Sequence, residues 1–192
     1  MNICIFGASS EKLDREYYEK ARETGRLIAE AGHTLIYGGG CGGVMGKCAG
    51  AAAESGGRII GIAPKFFDEP DILCHEYGEL ILTGTMEERK MLMWEKSDAF
   101  AALPGGIGTY DELFGCITLR QLGVHSKPIA LLNTRGFFEP FCELIDRGIK
   151  EGFISSGCRD LFAVCDTPQA LADHLTAPRH NAEKARGLSD YT

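Results

Sequence analysis

The sequence lacks three features that would place it in other classes of protein. Its eight cysteines include no C-x-x-C pair and no Cys/His cluster with zinc-finger spacing, which argues against a zinc module. No apolar stretch approaches the ~20 residues that a membrane-spanning helix needs. An excess of cations is also missing: 20 basic and 27 acidic residues give a net charge of −7, which disfavours a general binder of nucleic acids or membrane surfaces.

What remains is the composition of a globular protein. The 192 residues suffice for one α/β domain, with 44% apolar and 24% charged residues. We expect a single domain over residues 1–175 and a polar tail over residues 176–192, where hydrophobic periodicity stops. The chain begins without a signal-peptide pattern, so the predicted location is the cytoplasm. The cysteines are expected to be free thiols, with Cys41 unusual because it lies in a glycine-rich loop.

Strand-like and helix-like patterns alternate along the chain, which is typical of a parallel sheet covered by helices. Helical periodicity falls between short apolar runs, and a threonine and a proline at residues 167–168 open a final helix. Residues 64–77 are irregular, and a loop of that length is usually functional or mobile. The predicted strands are residues 2–6, 34–37, 58–63, 99–103, 129–132 and 161–165, and residues 79–82 fit a further short strand.

Glycine is unusually frequent, with 25 residues concentrated after two of the predicted strands. The first glycine turn, residues 38–46, joins a strand to a helix, where bare backbone amides suit an anion. Gly38, Gly40 and Gly43 satisfy G-x-G-x-x-G, but the motif follows the second strand, and no acid that would hold a ribose follows the third. The ATP-binding P-loop pattern also fails here. Close packing of a helix against a strand is the alternative that needs no ligand.

The second glycine turn, residues 104–108, repeats this arrangement before another helix, predicted over residues 109–122. Its bare amides also suit a phosphate. Thr109 and Glu112 have the spacing of a capping box, in which the glutamate reaches back to the first amides of the helix. The spacing alone therefore leaves Glu112 open between a capping role and that of an active-site carboxylate.

A third candidate feature is the start of the helix predicted from Thr85, which opens with a capping box of its own. Arg89 and Lys90 follow in its first turns, where each cation opposes the helix dipole by ~0.3–1 kcal/mol. A bound anion would offset this cost; the alternative is an exposed pair balanced by the two preceding glutamates. The dense apolar run at residues 91–94 predicts a buried helix or one that contacts a second subunit.

The residues 104–112, Pro-Gly-Gly-Ile-Gly-Thr-Tyr-Asp-Glu, match a P-G-G-x-G-T-x-x-E signature, and Arg89-Lys90 precedes it at the matching distance. With these motifs the chain resembles the LOG family of cytokinin riboside 5′-monophosphate phosphoribohydrolases, often labelled "lysine decarboxylase". The resemblance implies a Rossmann-like three-layer sandwich with a mainly parallel sheet, and a homodimer. It also implies hydrolysis of the N-glycosidic bond of adenine-type nucleoside 5′-monophosphates to free base and ribose 5-phosphate.

The resemblance places the catalytic pair on Arg89 and Glu112, and we expect no metal or cofactor. The chain departs from the family's usual residues at Ala8, Cys41, Glu87 and residues 119–120, which leaves the preferred base and its N6 substituent open. The substrate-binding positions that it implies are Ser9, Gly39, Gly40, Met45, Lys90, Gly105, Gly106, Ile107, Gly108, Thr109 and Asp111.

Other functions use some of the same residues. A nucleotide-binding module or carrier without catalysis needs the two turns but not Glu112. An NAD(P)-linked oxidoreductase is disfavoured by the missing acid after the third strand. A pyridoxal-phosphate decarboxylase needs a suitable lysine, and Lys47 and Lys90 are available, although no other residue supports it.

Overall fold

The computed structural model describes residues 1–69 and 71–178 and contains one seven-stranded sheet. The strand order is β4-β3-β2-β1-β5-β6-β7, and every neighbouring pair is parallel. The predicted α/β fold is confirmed, with a sheet that is parallel throughout. The strands are β1 Asn2–Phe6, β2 Thr34–Tyr37, β3 Ile59–Pro64, β4 Glu79–Thr83, β5 Ala99–Ala102, β6 Ile129–Leu132 and β7 Ala163–Cys165.

Helices cover both faces of the sheet and form the outer layers of a three-layer sandwich. They are α1 Arg15–Glu30, α2 Gly43–Glu54, α3 Met86–Lys96, α4 Ile107–Gln121, α5 Glu139–Lys150 and α6 Pro168–Thr176. One core cluster contains residues of α1, α2 and α6, and the other contains residues of α3, α4 and α5. No helix in the described part of the chain is both long and apolar enough to cross a bilayer.

The strands are apolar at nearly every position because both faces of the sheet are buried. Along β1, Ile3 and Ile5 pack into the first cluster, whereas Cys4 and Phe6 pack into the second. This alternation follows from the two-residue period of a strand. The continuous apolar runs in the sequence are therefore the signature of a doubly covered sheet.

Two predicted helix starts are confirmed by capping contacts. The Thr85 hydroxyl accepts a 3.1 Å hydrogen bond from the Glu88 amide at the start of α3. The Thr167 hydroxyl accepts one of 3.1 Å from the Ala170 amide, with Pro168 at the first position of α6. These ends depend on local side-chain chemistry, which the sequence carries directly.

Two predicted starts are wrong by two residues, whereas several other bounds differ by one. Helix α4 begins at Ile107, two residues before the predicted start, because Gly106 is its N-cap. Strand β7 begins at Ala163 because Ser156–Leu161 forms a 3-10 helix instead. Of the predicted polar tail, Thr176 still belongs to α6, and residues 179–192 lie outside the described residues.

Candidate active site

The candidate site lies at the carboxyl edge of the sheet, where β1 stands between β2 and β5. The chain builds the sheet from β1 through β2, β3 and β4, and then crosses back to place β5 on the other side of β1. In open parallel sheets such a reversal opens a crevice outside the carboxyl ends of the strands. Both glycine turns and the start of α3 follow strands that end at this edge.

The turn after β1 connects the two glycine turns through main-chain atoms. The Ala8 amide donates a 3.1 Å hydrogen bond to the Pro104 carbonyl in the second turn. The Ala8 carbonyl accepts a 3.2 Å hydrogen bond from the Met45 amide in the first turn of α2. The structure thus brings the two glycine turns together on either side of Ala8, at the same edge of the sheet.

The start of α2 is packed against its surroundings. Gly43 has a φ of +65° and lies on the backbone of the β1–α1 turn, so a Cβ at this position would lie 2.7 Å from the Ser9 Cα. The Met45 amide already donates its hydrogen bond to the Ala8 carbonyl and is not available to a ligand. This end of α2 is therefore closely packed, but against a turn and not against a strand.

The start of α4 is open. Gly106 is an N-cap without a side-chain hydrogen bond, and a Cβ at Gly106 or Gly108 would meet no atom within 4 Å. Ile107 between them is 85% exposed. The first amides of a helix have no intrahelical acceptors, and the helix dipole favours an anion there. Of the two turns, the second presents the more accessible helix N-terminus.

Arg89 and Glu112 form a buried ion pair beside this open end. The Arg89 Nη1 atom donates a 2.7 Å hydrogen bond to Glu112 Oε1, and the two residues are only 6% and 7% exposed. The Arg89 Nε atom donates a 3.1 Å hydrogen bond to the Ile62 carbonyl in β3. The alternative of an exposed cation at position 89 is therefore wrong.

The capping alternative for Glu112 is also wrong. Because α4 begins at Ile107, Glu112 lies more than one turn inside the helix, and its carboxylate accepts from the Arg89 guanidinium. Burial raises the pKa of the Glu112 carboxyl, and the charge and hydrogen bond of Arg89 oppose that rise. A buried carboxylate paired in this way is typical of functional sites.

A second ion pair lies next to the first. The Lys90 ammonium lies 3.0 Å from the Asp111 carboxylate, and their side chains are 23% and 54% exposed. Consecutive residues of α3 thus face consecutive residues of α4, one pair buried and the other at the surface. The outer pair joins the Lys90 ammonium to the second turn of α4.

The remaining residues predicted to bind substrate differ in their exposure to solvent. Ser9 is exposed, and Gly40, Met45 and Gly105 are half-buried. Thr109 is buried in the first turn of α4. Gly39 is buried with its carbonyl accepting from the Cys74 amide, in a pairing of the first glycine turn with the loop before β4 that the sequence analysis missed. A role of these residues in substrate binding stays a prediction.

Cys41 has no feature of an activated thiol. Burial, with the neighbouring Cys74 thiol, raises its pKa to about 11. Reactive cysteines have a lowered pKa, because the thiolate is the nucleophile. All eight cysteines are free, as predicted.

The comparisons with known proteins agree with the sequence motifs. The family model described as "Possible lysine decarboxylase" matches residues 45–175. A cytokinin riboside 5′-monophosphate phosphoribohydrolase of Arabidopsis thaliana is 39% identical, covering 99% of this chain and 90% of the relative. The rice enzyme of that name, from Oryza sativa subsp. japonica, is also 39% identical, covering 88% of this chain and 70% of the relative.

Solved structures share the fold. Two structures of the molybdenum cofactor carrier protein from Chlamydomonas reinhardtii align with TM-scores of 0.68 and 0.65 at 24% and 26% identity. They cover 92% and 88% of this chain, and 98% and 91% of theirs. The chain matches the phosphoribohydrolases at higher identity over nearly its whole length, and it belongs to the LOG family.

Proposed function

We propose that this protein hydrolyses the N-glycosidic bond of adenine-type nucleoside 5′-monophosphates, including cytokinin ribosides, to free base and ribose 5-phosphate. The observation that carries this proposal is the buried Arg89–Glu112 pair beside the open end of α4. The names of the relatives, which describe this activity, support it. A carrier of the same fold would need an anion site, but it would not need a buried carboxylate next to it.

The 5′-phosphate is assigned to the start of α4. The amides of Ile107, Gly108 and Thr109 have no earlier helical turn to donate to, and the bare Gly106 and Gly108 let an anion approach closely. The Lys90 ammonium, which is paired with Asp111 in the second turn of α4, is the cation assigned to the same phosphate. Fixing the phosphate holds the ribose in place, and this positioning supplies part of the rate acceleration.

The reaction replaces the bond from C1′ to the base with a bond from C1′ to a water oxygen. As the base departs, positive charge develops on the sugar, as in glycoside hydrolysis. The Glu112 carboxylate stabilises this charge and orients the water, whose proton is released as the new C–O bond forms, while the departing base takes up a proton. The carboxylate must be ionised to do this.

Arg89 stabilises the ionised form of the Glu112 carboxyl. Burial of a carboxylate favours its neutral form, whereas the Arg89 guanidinium at 2.7 Å favours the charged form. The Ile62 carbonyl fixes the other side of the guanidinium. We assign Arg89 the role of orienting Glu112 and maintaining its charge.

The test is incubation with AMP and with an N6-prenylated AMP, followed by chromatography for the free base. Release of base, lost in Glu112→Gln, is the expected result. Nucleotide binding without release of base would favour the carrier alternative. A yellow purified protein that absorbs like pyridoxal phosphate would favour the decarboxylase alternative.

We further propose that the protein is a cytoplasmic homodimer with one domain over residues 1–175. In the apolar run at residues 91–94, Met93 is buried but Met91 is 51% exposed. On α4, Phe114 is 38% exposed. Exposed apolar side chains on two packed helices suit an interface with a second copy. Light scattering coupled to gel filtration is expected to give about twice 20.8 kDa.

A further inference from the structure

We infer that Gly38 is a positioning residue: the space left by its missing side chain is where the Arg89 guanidinium lies against Glu112. The inference rests on the proposed function for its kinetic consequences, and on the geometry alone for its structural ones.

Gly38 lies against the third nitrogen of the guanidinium, Nη2. A Cβ at position 38 would lie 2.5 Å from Arg89 Nη2, which is far inside the normal contact distance. The other two sides are held by hydrogen bonds from Nη1 to Glu112 and from Nε to the Ile62 carbonyl. The guanidinium therefore cannot move away from an added methyl group and keep both bonds in place.

Substitution by alanine is expected to move the side chain of Arg89 and leave the fold intact. Gly38 is not among the glycines with positive φ, so alanine can adopt its backbone conformation. The atom that it would meet is the far end of a long side chain. Gly43 differs in both respects, because its φ is +65° and its added Cβ would meet backbone atoms.

Moving the guanidinium changes the environment of the Glu112 carboxyl. Burial already raises its pKa, and Arg89 is the main group that opposes the rise. The other charged or titratable groups that act with it are Lys90 from α3, Asp111 and Cys116 on α4, and Cys4 on β1. Lys90 alone among these is a cation, and its effect on the Glu112 pKa is smaller than that of Arg89, so it does not compensate for a displaced Arg89.

The first test compares Gly38→Ala with Gly148→Ala. A Cβ at Gly148 in α5 would also lie 2.5 Å from the end of a flexible side chain, that of Ile154, so this variant controls for a general packing defect. We expect kcat of Gly38→Ala to fall by about 100-fold with little change in KM. The acid limb of its pH–rate profile should move to higher pH by about one pH unit. Gly148→Ala should stay within about twofold of wild type.

The second test is a double-mutant cycle with Arg89→Lys. Lysine has no Nη2 atom, so adding Gly38→Ala to this variant should change kcat by less than about twofold. Full additivity of the two losses would overturn the inference, because it would mean that Gly38 acts independently of the guanidinium.

A third measurement is independent of turnover. A carbon-13 NMR titration of the Glu112 carboxyl, assigned with Glu112→Gln, should give a higher pKa in Gly38→Ala than in wild type and Gly148→Ala. An unchanged titration would overturn the positioning role even if activity fell. Failure of wild type to release base would instead overturn the proposed function, and the titration would still decide the role of Gly38.

Discussion

The two glycine turns have similar sequences and opposite surroundings. Both follow a strand of the parallel sheet, and both precede a helix at the same edge. The start of α2 is packed on the β1–α1 turn, with Gly43 against the backbone of Ser9. At the start of α4 a Cβ added to Gly106 or Gly108 would meet no atom within 4 Å, and two ion pairs join this helix to α3. Glycine serves close packing at Gly43 in the first turn and access at Gly106 and Gly108 in the second.

This contrast teaches that a glycine-rich strand–helix turn is ambiguous until its neighbours are known. The same absence of a side chain permits backbone to approach backbone or a ligand to approach backbone. In this chain the β1–α1 turn packs on Gly43 of the first turn and on Gly105 of the second, where an added Cβ would lie 2.9 Å from the Ala8 nitrogen. It leaves Gly106 and Gly108 uncovered. Substitutions on either side of the contrast should therefore affect different properties.

The largest expected effect on activity comes from a substitution in α4, the helix that follows the second glycine turn. Glu112→Gln keeps the shape of the side chain but removes the charge that stabilises the sugar cation. We expect kcat to fall by about 10²–10⁴-fold, while circular dichroism and thermal unfolding show a folded protein. If the variant kept wild-type turnover, Glu112 would have no catalytic role. The second glycine turn would then not differ in function from the first.

The matched pair Gly43→Ala and Gly108→Ala separates stability from binding. At Gly43 the positive φ and the nearby backbone should lower the free energy of unfolding by about 2–3 kcal/mol, with little effect on the KM of the folded fraction. At Gly108 the added methyl group points into open space near the assigned phosphate, so KM should rise without loss of stability. Denaturant unfolding and steady-state kinetics measure both, and the reverse pattern would contradict the assignment of the phosphate to α4.

Lys90→Ala should weaken binding of the phosphate more than it slows the chemical step. Loss of a charge-assisted hydrogen bond is worth about 1.5–3 kcal/mol, which corresponds to a rise in KM of at least about tenfold. The difference between wild type and variant should shrink as salt concentration increases, because the lost interaction is electrostatic. An unchanged KM at low salt would show that the cation does not face the ligand.

The smallest effect is expected from Asp111→Asn. Its carboxylate is 54% exposed, and surface ion pairs are worth ~0–1 kcal/mol. We expect a change in kcat/KM of less than about fivefold, in contrast to the loss in Glu112→Gln one residue further along α4. A loss as large as that of Glu112→Gln would mean that the outer ion pair takes part in the chemistry.

Much of the fold follows from local patterns in the sequence. The strands are apolar runs because both faces of the sheet are covered, and the starts of α3 and α6 follow from threonine caps at Thr85 and Thr167. The start of α4 could not be predicted from the sequence in this way. Its N-cap, Gly106, has no side chain, so no capping hydrogen bond identifies the first residue of the helix. This two-residue difference is what made Glu112 fit a capping box.

The site was accessible to sequence analysis only in part. The motifs point to Arg89 and Glu112 separately, and their 2.7 Å contact depends on how α3 and α4 pack over the sheet. The Ile62 carbonyl that holds Arg89 is a main-chain atom, for which a single sequence contains no signal. The burial of Gly39 depends on the loop before β4, whose irregular sequence does not predict its pairing with Gly40.

The hydrogen bonds of Ala8 have a consequence for how this site can diverge. Its amide holds one glycine turn and its carbonyl holds the other, so the width of the crevice is set by one peptide unit on each side of a single residue. Exchange of the methyl group leaves both bonds in place, whereas insertion of one residue between Phe6 and Ala8 would shift both turns at once. A change of side chain at position 8 should thus be tolerated better than a change in the length of this segment.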